Sequence, residues 1–78
     1  MKYLRHTKGI ISFGENLRKI RLSKKMSQEQ LAYKVGVETS QIGRIERGKI
    51  QTSISMVFYL SEALEIPTKK LFDFEIKR

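Results

Sequence analysis

The side chains with the most to offer chemically lie between Gln28 and Lys49. On a helix over about 39–47, Ile42 and Ile45 share one face at a spacing of three. Thr39, Ser40, Gln41, Gly43, Arg44 and Arg47 then face outward. These are hydrogen-bonding types, and none is a nucleophile with a base beside it. A guanidinium at Arg44 can donate two parallel bonds to a flat pair of acceptors, such as O6 and N7 of guanine. Thr39 and Ser40 can donate or accept, and a threonine methyl packs on thymine. Gly43 lets the helix backbone approach a partner closely. Gln41, Arg47 and Lys49 flank these positions and suit phosphate oxygens, contacts that set register and affinity without reading sequence. Catalysis has no comparable basis. His6 is the single histidine and there is no cysteine. No phosphate loop and no glycine-framed carboxylate pair appears either. The expectation is a non-enzymatic binding site with no metal and no cofactor.

Two short helices and a tight turn are needed to present that face. Ser27 and Gln30 have capping-box spacing and start helix 2, about 28–35, with Leu31, Ala32 and Val35 on its buried side. Gly36 suits a left-handed C-cap, and Gly48 ends the next helix in the same way. Ala32 is small where two steeply crossing helices meet, and Val37, Ile42 and Ile45 fill the wedge beneath. The set describes a helix-turn-helix whose second helix fits the major groove of DNA. Around it, Ser12 and Glu15 repeat the capping-box spacing and predict helix 1 over roughly 13–24. Phe13, Leu17, Ile20 and Met26 form its apolar stripe, with Arg18, Lys19 and Lys25 toward water. Ser53 caps helix 4, about 54–64, where Ile54, Val57, Leu60, Ser61 and Leu64 line the buried face. Pro67 opens a short helix 5, about 67–72. The division expected is a basic arm at 1–12, a helical domain at 13–74 and a tail at 75–78.

The 78 residues make one domain with a small core. No apolar run reaches membrane-helix length, no signal-peptide pattern opens the chain, and cysteine is absent, so a cytoplasmic protein is expected. The net charge of +8 is unevenly spread: +3 over residues 1–12, +4 over 13–26, +1 over 27–49 and zero over 50–78. A polyanion would meet the basic side, leaving the neutral end for a partner chain. Phe58, Leu71, Phe72, Phe74 and Ile76 in that neutral end are more apolar surface than one small core needs. They are the expected homodimer interface; the alternative is that the tail folds back and completes the monomer core.

The sequence resembles the lambda-repressor-like, Xre/Cro type of helix-turn-helix domain. The resemblance rests on Leu17 to Arg21, Met26 to Ala32, Gly36-Val37, Ile42 to Gly48, and Ala63 to Pro67 leading to Leu71-Phe72. It covers about residues 13–74. It implies an all-α, five-helix domain that binds operator DNA as a two-fold dimer on a palindromic site, and so regulates transcription. It also implies that Gln28 holds a backbone phosphate at the start of helix 2, and that Arg21 and Glu46 form a structural ion pair. Glu46 would otherwise repel phosphate from a DNA-facing helix. Some relatives wrap such an arm around the duplex; here Lys2, Tyr3, Arg5, His6 and Lys8 either do so or form a free basic tail. Three positions depart from the pattern: Glu38 where a Ser or Thr cap is usual, Glu65 where a Gly is common, and Gly43 within the recognition helix. No small-molecule domain accompanies the motif. A second reading, as an antitoxin or controller component, has the chain act partly through protein–protein binding.

Overall fold

The computed structural model describes residues 4–76; Lys2 and Tyr3 of the arm and Lys77 and Arg78 of the tail lie outside them. The elements are α1 (Thr7–Ser23), α2 (Gln28–Val35), α3 (Thr39–Glu46), α4 (Ile54–Leu64) and a 3-10 turn at Thr68–Phe72. Among the described residues no strand occurs. The class is all-α as expected, with a 3-10 turn in place of a fifth α-helix. Pro67 is extended, at ψ 141°, so it caps this turn instead of entering it. A run this short suits the tighter 3-10 geometry.

The arm is shorter than expected, because α1 begins at Thr7 and takes in residues assigned to it. Ile10 continues the stripe of Phe13, Gly14 and Leu17, spaced as on one helix face. Gly9, a poor helix former, masks that continuity in the sequence. The cap is His6, whose Nδ1 accepts from the Gly9 amide at 3.0 Å. Ser12 is therefore mid-helix and caps nothing.

The other boundaries follow the local chemistry closely. Ser27 Oγ accepts from the Gln30 amide at 3.0 Å, and Gln30 Oε1 accepts from the Ser27 amide at 2.8 Å, closing the capping box. Gly36 is left-handed at φ 90°, and the amides of Gly36 and Val37 both donate to the Ala32 carbonyl. A side chain on Gly36 would meet nothing, so the backbone angle alone calls for glycine there. Ser53 accepts from the Met56 amide at the start of α4. Glu65 takes the left-handed C-cap at φ 56° itself, at a cost of about 1 kcal/mol. Glu38 caps α3 without a side-chain bond.

Leu17, Leu31, Ile42, Leu60, Leu64 and Leu71 are fully buried, with Phe13, Ala32, Ile45 and Val57 around them. Two expectations fail here. Ile54 is 74% exposed and lines a groove with Ile10 and Phe72 at the start of α4. Leu71 is no interface residue but part of the core: Asn16 Nδ2 donates to the carbonyls of Lys70 and Leu71 and draws the 3-10 turn onto α1. Phe74 is half-buried against the same core, and Phe72 packs on Phe13 at a ring distance of 5.3 Å.

The position of α3 is fixed by two contacts with α1. At the crossing, a side chain on Gly14 would strike the Ile45 carbonyl oxygen and lie 2.7 Å from that of Glu46, so only glycine fits. Beside it, Arg21 Nε and Nη2 donate to the two oxygens of Glu46 at 2.6 and 3.0 Å, and both residues are 5% exposed. Lys25, left-handed at φ 56°, turns the chain so that the Met26 carbonyl accepts from Arg21 Nη1 at 2.7 Å. Gln28 Nε2 adds a bond of 2.9 Å to Glu46 Oε1. Replacing Glu46 with Ala strands a buried guanidinium, at roughly 3–5 kcal/mol. For a domain of this size that is a fall in melting temperature of roughly 12–40 °C. Thermal unfolding followed by circular dichroism checks this; an unchanged Tm would mean the pair does not hold the helices.

Candidate nucleic-acid interface

The outward side of α3 is built by subtraction. Ile42 and Ile45 go to the core and Glu46 goes to Arg21, which leaves Thr39, Ser40 and Arg44 exposed on the helix and Arg47 exposed at its C-cap. None of these side chains has a hydrogen-bond or ion-pair partner among the described residues. Lys49 is exposed just beyond, its amide closed back onto the Arg44 carbonyl at 2.9 Å. Gln41 is half-buried at the edge. Glu46, the one carboxylate within α3, is saturated by Arg21 and Gln28 and turned away from this surface.

Gly43 differs from its expected place. It is buried, with Arg47 Nη1 2.9 Å and Gln28 Oε1 3.5 Å from where its side chain would stand. Its missing side chain makes room for Arg47 and Gln28 to fold over the helix, not for a partner to approach the backbone. Gln28 also does more than its position suggests. Its amide group is divided, with Nε2 on Glu46 and Oε1 toward Gly43. The amides of Gln28 and Glu29 have no acceptor among the described residues, so the start of α2 presents free N–H groups beside the α3 face.

Arg5, expected either to reach the duplex or to belong to a free basic tail, is instead tied down: its Nη2 donates to the Gly48 carbonyl at 2.8 Å, just past the end of α3. Nothing in the spacing signals a bond across 43 residues. The expected interface residues differ in exposure: Phe58, Phe72 and Ile76 are about half-exposed, Phe74 is half-buried and Leu71 is enclosed. Among the described residues there is no cluster suited to a metal ion, and no helix is long and apolar enough to cross a membrane.

The helix-turn-helix model HTH_3 matches residues 17–71, the span from α1 to the 3-10 turn. Control protein C.BamHI of Bacillus amyloliquefaciens is 43% identical over 63 residues, which cover 80% of this chain and 78% of that one. The transcriptional repressor RghR of Bacillus subtilis is 43% identical over 61 residues, 77% of this chain but only 45% of RghR. Among solved structures, the restriction-modification controller protein C.AhdI from Aeromonas hydrophila superposes with a TM-score of 0.79 at 38% identity, covering 81% of this chain and 96% of that one. An inward-turned carboxylate, a cationic outer face on α3 and a family match across most of the chain agree: this protein belongs to the HTH_3 helix-turn-helix family and is a DNA-binding regulator of transcription.

Proposed function

We propose that the protein is a sequence-specific, homodimeric regulator of the restriction-modification controller kind, acting in the cytoplasm on a palindromic operator. The observation that carries the DNA-reading part is the fate of Glu46. With that charge internally neutralised, α3 offers a duplex only cations and neutral hydrogen-bonding groups. Arg44 reads base edges with Thr39 and Ser40, and Gln28, Gln41, Arg47 and Lys49 hold phosphates. The controller reading is supported by C.BamHI and C.AhdI, each matched over most of its own length. Binding alone is the proposed activity; it needs no cofactor and no chemical step.

The dimer rests on Ile54 and Phe58, one turn apart on the exposed side of α4, with Phe72 and Ile76. These are 46–74% exposed, more than a lone domain needs to leave in water. A two-fold interface there places two copies of α3 on half-sites about 34–36 Å apart.

Selection of bound duplexes from a random pool tests the whole reading, since it reports both the site and its symmetry. On the selected site, Arg44→Ala costs about 1–3 kcal/mol of binding while random DNA is bound almost as before. An equal loss on both duplexes would make Arg44 a phosphate ligand. Lys49→Ala weakens binding to every sequence alike and lowers the slope of log affinity against log salt by about one; a shifted base preference with the slope intact would contradict it. Phe58→Glu gives a folded monomer in sedimentation, with operator affinity sharply reduced. A wild-type chain that stays monomeric at high concentration and binds a half-site as tightly as the full palindrome would overturn the dimer.

A further inference from the structure

The beginning of the described chain is fastened to the end of the recognition helix, outside the span of the family match, which starts at residue 17. Arg5 Nη2 donates to the carbonyl of Gly48 at 2.8 Å. Gly48 is left-handed at φ 69°, and a side chain on it would lie 2.7 Å from Ile11 Cγ1, so α1 and this turn pack with little between them. Arg5 directly precedes His6, the residue that caps α1. It is thus held at both ends, by a capped helix behind it and a backbone carbonyl in front.

The use Arg5 makes of its guanidinium is incomplete. Such a group carries five N–H donors in a flat fork. The bond to Gly48 engages one nitrogen, and the others have no acceptor among the described residues. The only ion pair among those residues is Arg21 with Glu46, so no carboxylate neutralises Arg5. The nearest acidic residue in sequence is Glu15. The residue after its carbonyl partner is Lys49, also exposed and cationic. A cation at a helix C-terminus is favourable in itself. That role needs one donor and leaves the rest of the fork idle. A planar fork with free donors is suited to a phosphate, which accepts from Arg in parallel pairs.

We propose that Arg5 is a phosphate ligand of the DNA interface, clamping the Gly48 carbonyl with one nitrogen and donating with the rest to the same stretch of DNA backbone as Lys49. The proposal rests on the reading of α3 as the helix that faces DNA. It makes the segment just before α1 part of the DNA-binding surface.

Phosphate contacts are independent of sequence, so the test uses a mixed-sequence DNA duplex and the purified full chain. Affinity is measured against salt for wild type, Arg5→Gln, Arg5→Lys and Lys49→Ala, with melting temperatures alongside. Arg5→Gln removes the charge and leaves a shorter, neutral hydrogen-bonding side chain. It lowers the log–log slope by about 0.9 and weakens binding several-fold, with Tm close to wild type. Arg5→Lys retains most of the slope. A slope unchanged in Arg5→Gln but reduced in Lys49→Ala overturns the proposal and makes Arg5 a helix cap only. A slope reduced in Arg5→Gln and unchanged in Lys49→Ala removes Lys49 from the phosphate set and leaves Arg5 in it. Slopes unchanged in both overturn both.

Discussion

One carboxylate organises this molecule. Glu46 stands on α3, receives the guanidinium of Arg21 from α1 and the amide of Gln28 from α2, and is shut away from water. Burying charge is expensive, and apolar residues in the same space are often as stable or more so. The network therefore contributes orientation more than net stability. Its bonds are directional where the leucines around Leu31 and Leu60 are not. It fixes how far α3 rotates about its own axis, and that rotation decides which side chains point outward. The same bonds dispose of the one negative charge on a helix that must approach a polyanion.

The supporting features all serve that placement. Gly14 lets α1 and α3 touch backbone to backbone, close enough for the pair to form. The left-handed Lys25 brings the Met26 carbonyl to the far side of Arg21, so that the guanidinium is gripped from two directions. The Gly36 turn sets the approach of α2, which carries Gln28 to Glu46.

Much of this was legible in the sequence because it is locally encoded. Capping serines, left-handed glycines and a stripe of apolar residues act over a few positions, and α2, α3 and α4 follow them to within a residue. Legibility failed where a distant partner decides. Gly9 hides the first turns of α1, whose helix is sustained by packing that no window of residues displays. Leu71 reads as surplus apolar surface until Asn16 is seen to draw its turn inward. Gly43 reads as an open approach until Arg47 and Gln28 are seen covering it. In each case the residue type was informative and the neighbour was not.

Ser40 and Arg44 have no hydrogen-bond or ion-pair partner within the described residues, while every group that orients α3 faces inward. Substitutions at the outer positions therefore leave the fold's internal bonding intact, and surface changes of that sort usually alter stability little. Scaffold and outer face are separable. If the outer positions read bases as proposed, lineages carrying this domain could drift to new sites one side chain at a time without passing through unfolded intermediates, and related regulators sharing one cell could diverge into mutually deaf pairs of protein and site.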